Sequence, residues 1–301
     1  MAITTTITNS SPFMAYEGMA TKATGGAIIP LDAPDEFNCD YVVSPYGELV
    51  FAHPDGEWYK NDKSDFLFKK VIATDTILIE LYKNDVKIED LNDNDFGTFF
   101  NGFTLQPLYV GYLLDWNLVY ATYGVGNYQV IAQITSLSVT IEVPSRVFML
   151  KKYTKELAHE TVRIESVQNG NIFGNIFDHT GLEWYQSIRI PGVFGNPKPV
   201  YETDNYVTEN HAYEQNKSKM NREFTLSIFP IPFEVVEIII YNKCLANSIL
   251  ITDYNLFAEK EWKRLPVVLK DLSKPDIVKV QNKIYELQFI DKNDIFVKRN
   301  Y

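Results

Sequence analysis

With 301 residues, 46% of them hydrophobic, the chain can bury two ordinary cores. Aromatics make up 14%, with 19 Tyr and 19 Phe, which suits twisted sheets more than helical bundles. A net charge of −11 excludes the Lys/Arg footprint that wrapping nucleic acid requires.

Residues 1–45 run from a Thr/Ser-rich start through Gly25-Gly26 to Pro30, Pro34 and Pro45, around short apolar pieces such as Ala27-Ile28-Ile29. Such a segment cannot form its own core and is expected to be an extended arm that orders against another surface. The first six residues carry neither a basic nor an apolar signal region, so export by that route is not expected.

From Phe66 onward the pattern is that of strands. Phe66-Leu67-Phe68 and Thr76 to Leu81 read as strands, with Ile77, Ile79 and Leu81 on one face and Lys83-Asn84-Asp85 as the turn into Val86-Lys87-Ile88. The acidic run Glu89 to Gly97 lacks the glycine and glutamate of a calcium loop at the required places and reads as a solvated hairpin loop. Gly124-Val125-Gly126 leads into strand material rather than a helix, so it is a tight turn and not a phosphate loop. Leu137 to Val143 alternates almost ideally, and Val162 and Ile164 alternate with Arg163 and Glu165 as a half-exposed strand. The same habit returns at Phe224, Leu226 and Ile228, and at Tyr285, Leu287 and Phe289.

Pro232 at a first helical position, followed by Glu234 and Glu237, predicts a helix over 232–245 with Val235, Val236, Ile239 and Ile240 on the face that packs on a sheet. Ser248 to Thr252 follows as a short buried strand, and Asp253-Tyr254-Asn255 as a turn. The most apolar run, Phe233 to Ile240, is far below the roughly 20 residues that span a bilayer, so no membrane insertion is expected. A weak internal repeat relates Phe66-Leu67-Phe68-Lys69-Lys70 to Phe148-Met149-Leu150-Lys151-Lys152, and later strands in the same order. It places a boundary near Val143-Pro144-Ser145. The predicted fold is therefore mainly β: the arm at 1–45, an antiparallel β-sandwich at 46–145, and a second at 146–301 carrying the helix.

No chemical site emerges. Cys39 and Cys244 have no CxxC spacing and read as buried free thiols. His53, His159, His179 and His211 are scattered, without ligand or triad spacing. Leu114-Asp115-Trp116 and Leu182-Glu183-Trp184 set a carboxylate beside an indole, a pairing that can grip sugars, although strand neighbours point to opposite faces. Catalytic, cofactor and metal residues are all expected to be none, and an enzyme is not expected. Lys151-Lys152 and Lys217-Ser218-Lys219 read as solvated or subunit-facing.

From Glu183 to Gly195 (EWYQSIRIPGVFG), through Tyr201-Glu202-Thr203, Phe224 to Pro232 and Ile251 to Asn255, the chain resembles virion tail proteins of tailed bacteriophages, particularly those infecting Bacteroidetes-type bacteria. Asp115-Trp116 and Tyr123 to Tyr128 are similar to the same group, so the resemblance covers roughly 66–255. It implies tail-tube-like β-sandwich domains in a distal-tail or baseplate-hub ring. Such a subunit is expected to self-associate, as a hexamer, contact other tail or baseplate proteins, and let DNA pass without sticking. Its place is the virion tail, with assembly in the host cytoplasm. A receptor- or carbohydrate-binding module of a baseplate or fibre is the alternative, motivated by Trp and Tyr that read as exposed beside carboxylates.

Overall fold

The computed structural model describes residues 6–7, 43–44, 47–56, 60–70, 73–93, 95–136, 139–169, 171–172, 177–178, 180–195, 197–207, 209, 213–229, 244, 246–255, 260–272, 284–292 and 295–298. The chain is mainly β, as expected. Its first unit contains β1 (Thr6–Ile7), β2 (Val43–Ser44), β3 (Gly47–Ala52), β4 (Lys63–Lys69), β5 (Thr76–Lys83), β6 (Val86–Asp90), β7 (Gly97–Asn101), β8 (Tyr109–Asp115), helix α1 (Trp116–Tyr123), β9 (Gly126–Ser136) and β10 (Val139–Lys152). These form a four-stranded sheet, ordered β1-β4-β8-β7, and a six-stranded sheet, ordered β2-β3-β10-β9-β5-β6.

One core lies between the two sheets. Phe66, Phe68, Tyr112 and Leu114 enter it from the first, and Ile77, Ile79, Leu81, Val130, Ala132 and Ile134 from the second. The period-2 placing of Ile77, Ile79 and Leu81 is therefore the inward face of β5, as the alternation predicts. At the hairpin tip Asn84 and Asp85 take φ of 49° and 64°, the primed turn whose twist matches that of paired strands. The acidic run that follows is not a hairpin loop. It carries the chain from β6 in one sheet to β7 in the other, and Asn92 binds the edge of β5, donating to Ile77 O at 3.0 Å and accepting from Ile79 N at 2.7 Å.

β3 runs parallel to β10 and is buried on both faces. Val50 and Ala52 belong to the first core, Leu49 and Phe51 to the second, so one short strand serves two cores. An unbroken apolar run is what such a strand needs.

The second unit contains a short helix α2 (Lys155–Ala158), β11 (Thr161–Gln168), the small pair β12 (Asn171–Ile172) and β13 (Phe177–Asp178), then β14 (Trp184–Phe194), β15 (Lys198–Val207), β16 (Tyr213–Ile228), β17 (Ser248–Asn255), β18 (Lys260–Leu272), β19 (Tyr285–Asp291) and β20 (Ile295–Lys298). Pairing runs β14-β11-β17-β18-β19-β16, and β16 pairs back to β14, so six strands close into an antiparallel barrel. Val162, Ile164, Ile188, Ile190, Phe194 and Phe224 are among its filling, with the Phe194 and Phe224 rings stacked at 4.8 Å. Closure rests on Gly192 to Phe194 against Leu226 to Ile228, and a side chain at Gly192 would stand 2.5 Å from Ser227 O.

Several expectations change here. The second unit is a closed barrel rather than a second sandwich, because β16 returns to β14 instead of leaving two open sheets. The boundary is not at Val143-Pro144-Ser145: β10 passes through it with a local register shift and delivers Phe148 and Leu150 to the first core. Phe66 and Phe148, matched in the internal repeat, are partners within that core, their rings edge-to-face at 6.1 Å, and not equivalent positions of two units. Asp253 to Asn255 continue β17 and pair with β18. Of the expected helix over 232–245, only Cys244 falls within the described residues, where its side chain is buried. Cys39 and most of the 1–45 arm lie outside them, apart from the strand residues of β1 and β2.

Gly192→Ala is expected to lower stability by about 1–3 kcal/mol, because the strands that close the barrel must separate to admit the methyl group. Thermal unfolding checks this, with Gly195→Ala, which approaches only Thr225 O at 3.3 Å, giving a smaller loss.

Candidate functional site

β11 and β14 lie side by side with their odd and even residues facing opposite ways. Val162, Ile164, Ile188 and Ile190 fill the barrel, which turns Arg163, Glu165, Ser187 and Arg189 outward. That outer face, expected to be wet, is buried: Arg163 is 1%, Glu165 5%, Ser187 2% and Arg189 3% exposed. It is covered by the first unit, through Glu48 of β3, Asp62, and Asp65 of β4.

Asp62 is the centre of this joint. Arg189 grips it with both arms, Nε to Oδ2 at 2.7 Å and Nη2 to Oδ1 at 2.8 Å, and Arg163 Nη1 reaches Oδ1 at 3.1 Å. Phe51 N donates to Oδ2 at 2.8 Å. Around this centre, Arg189 Nη1 donates to Thr161 Oγ1 at 2.8 Å and its backbone N–H to Glu48 Oε1 at 3.1 Å. The Arg189 guanidinium also lies 4.7 Å from the Phe51 ring centre. Glu165 accepts from Arg163 at 3.3 Å, Arg264 at 3.1 Å and the Tyr185 hydroxyl at 2.7 Å.

Burial alone would push the Asp62 carboxyl up, but the charge and hydrogen bonds of Arg189, then the charge of Arg163, outweigh it and hold the carboxyl below the usual range. Arg163 is likewise fully buried, and Glu165 and Asp62 keep it charged against the cost of desolvation. Burial first, then the Glu165 charge, pushes the Tyr185 hydroxyl far up, so it serves as a neutral donor. A proton-transfer group working near neutral pH needs a carboxyl shifted upward toward that pH, the reverse of Asp62. The chemistry of the cluster is to hold two bodies together.

A second contact sits beside it. Trp184 lies over Gly111, where any side chain carbon would stand 2.5 Å from the indole, and it packs on Leu67 and Tyr109. Phe100 and Phe103 meet the indole edge-on at 5.5 Å and 6.1 Å. Its Nε1 donates to Asp65 Oδ2 at 3.2 Å, and Ser187 N donates to Asp65 Oδ1 at 3.2 Å. One carboxylate thus receives both an indole and a backbone group from the other unit.

The residues singled out in the sequence scatter among structural roles. Asp115 caps α1, accepting from Asn117 N at 2.9 Å, and Trp116 is fully buried against Phe148, its Nε1 donating to Ser64 Oγ at 2.9 Å. Trp184 is 3% exposed, whereas Glu183 points to solvent. Neither Trp–carboxylate pair forms a sugar-gripping surface, because both indoles are inside. His53 stacks obliquely on Tyr153 at 5.6 Å, and His159 ends α2. His179 and His211 lie outside the described residues. Lys151 and Lys152 are exposed, with Lys152 paired to Asp55 at 3.1 Å. A cleft of about 380 Å³ opens between the two sheets of the first unit beside Lys70, Asp75, Asn92 and Asn101, with Lys70 Nζ donating to Ala73 O at 3.2 Å. Among the described residues no helix is long and apolar enough to cross a membrane.

No protein-family model matches the chain, and no curated protein matches it.

Asp62→Asn leaves two buried guanidinium groups facing a neutral amide and is expected to cost about 3–5 kcal/mol. The pH dependence supplies the second check. Because the folded carboxyl titrates below its unfolded value of about 3.9, its stabilisation is complete well above that pH and is lost as pH falls through the folded value. Urea unfolding from neutral pH down to about pH 3 should therefore show a steeper acid loss in the parent than in Asp62→Asn.

Proposed function

We propose that the chain is a structural subunit of a bacteriophage tail or baseplate, forming a hub-like ring that joins the tail tube to the baseplate or fibres. The observation that supports this best is where the tail-like stretches of the sequence lie. Glu183 to Gly195 supplies β14, with Trp184 and Arg189 as the two grips of the joint, while Asp115-Trp116 and Tyr123 to Tyr128 supply the two ends of the capped helix, including the buried Trp116. In both stretches the distinctive side chains are spent on rigidity. A subunit that carries load between neighbours needs its two halves to move as one body, and a joint of buried, charge-assisted hydrogen bonds is stiff in that way. The receptor-binding alternative loses the Trp part of its motivation, because Trp116 and Trp184 are buried, and keeps the Tyr part, since Tyr201 beside Glu202 is 65% exposed.

The net charge of −11 fits a ring around DNA. A like-charged wall offers a phosphate polymer no counterion release, so the polymer slides without being held. The same charge repels neighbouring subunits and is screened as salt rises, the Debye length falling to roughly 8 Å at physiological strength.

Electron microscopy and sedimentation of the purified full chain test the reading. Six-fold rings that strengthen between low and physiological salt are expected. A chain that stays monomeric across that range, or rings that fall apart as salt is added, would overturn it.

A further inference from the structure

β15 and β16 project from the barrel as a long hairpin. β16 pairs with β14 and β19 near its end, at Glu223 to Ile228, but from Tyr213 to Glu223 its partner on one side is β15. Among the described residues β15 pairs with nothing except β16, and no described strand lies along its other edge. Lys198, Pro199, Val200 and Tyr201 are all exposed, with Tyr201 at 65% and Val200 at 36%, and Val207 near the tip is 52% exposed. At the Lys198–Tyr201 end of the strand, residues on both faces are thus in solvent.

The backbone direction of the other edge follows from the register. Gly195 N donates to Thr225 O, and Phe229 N to Pro191 O, so the odd-numbered residues of β16 present their backbone groups toward β14 and β15. Through the pairing of Lys198 with Glu223 and Val200 with Asn221, the even-numbered residues of β15 answer them. Pro199, Tyr201 and Thr203 therefore turn their backbone groups outward. Proline falls where its missing N–H costs the hairpin nothing, as in other edge strands.

We propose that this edge docks a second copy of the same chain, strand to strand and antiparallel, across a two-fold axis at Tyr201. In that register each Tyr201 N–H meets the other copy's Tyr201 carbonyl, and each Thr203 N–H meets the other's Pro199 carbonyl. Charge and proline together select the register. With the axis at Tyr201, Lys198 stands opposite Asp204, whereas centring on Glu202 or Thr203 sets acids against each other; centring on Val200 also gives Lys198 an acid, Glu202, but sets Pro199, which has no N–H, against Tyr201 and loses the Tyr201–Tyr201 pair. A single strand pair buries little area, which places the contact in the weak, concentration-dependent class. The pairing does not depend on the ring reading, since a two-fold contact cannot close a ring. It joins two subunits, or two rings face to face.

Sedimentation equilibrium of the full chain over a wide concentration range tests it. The parent is expected to form pairs. Tyr201→Pro, which removes an outward N–H together with the exposed phenol and leaves the backbone bonds to β16 in place, should weaken them at least tenfold while leaving the melting curve unchanged. Lys198→Asp should weaken them as well, and the exchange Lys198→Asp with Asp204→Lys should restore them. The exchange keeps the test decisive should the proline variant fail to fold. A parent without pairs at any concentration, or pairs indifferent to the charge reversal, would overturn the proposal. Six-fold rings that persist in these variants without stacking would leave the ring reading standing and support the two-fold contact as a separate surface.

Discussion

A carboxylate removed from water between two hydrophobic cores is the constraint on which this molecule depends. Asp62 is 2% exposed and has Arg189 and Arg163 from the other unit as its counter-ions. Taking such charges out of water costs several kcal/mol each, which only close geometry and further hydrogen bonds can offset. The surroundings meet that demand. Phe51 N holds Asp62 from the first unit, Thr161 and Glu48 hold Arg189, and Glu165 holds Arg163 while receiving Arg264 and Tyr185. The consequence is specificity of orientation. An apolar interface tolerates sliding, whereas a bidentate guanidinium–carboxylate pair fixes both distance and angle.

The same joint explains why β3 is so apolar and why β11 and β14 are buried on both faces. Leu49 and Phe51 reach into the barrel core while Val50 and Ala52 stay in the core between the two sheets of the first unit. The polar layer of Glu48, Asp62, Asp65, Arg163 and Arg189 lies within this shared region. Trp184, seated in the space that Gly111 leaves open, locks the neighbouring edge. A body joined in this way transmits force between its halves, which suits a ring subunit, and it leaves the β15–β16 hairpin as the part that projects.

Much of the local structure was legible in the sequence. Strand faces such as Ile77-Ile79-Leu81, Phe224-Leu226-Ile228 and Leu287-Phe289 follow from a period of two, and the Asn84-Asp85 turn follows from the tolerance of those residues for positive φ. Helix α1 escaped the periodicity because eight residues give little more than two turns of pattern. Its signals were the cap Asp115 and the stop Gly124. The joint escaped for a different reason. Arg163, Glu165 and Arg189 alternate with aliphatic residues as an exposed strand face does, and nothing local distinguishes a face wetted by water from one covered by a distant Asp62. Barrel closure is equally non-local, since it turns on whether β16 returns to β14. Gly192, small at the point of closest approach, was its one local trace.

The claim that the two units are welded by this joint is tested most directly by native-state hydrogen exchange at Phe51, Ser187 and Arg189, whose N–H groups donate to Asp62, Asp65 and Glu48. If the weld holds, these three amides exchange only through global unfolding, with the same opening free energy and denaturant dependence as Ala132 and Ile164 in the two cores. Fast exchange at the three, with both cores still protected, would show that the units separate while each stays folded and would contradict the account.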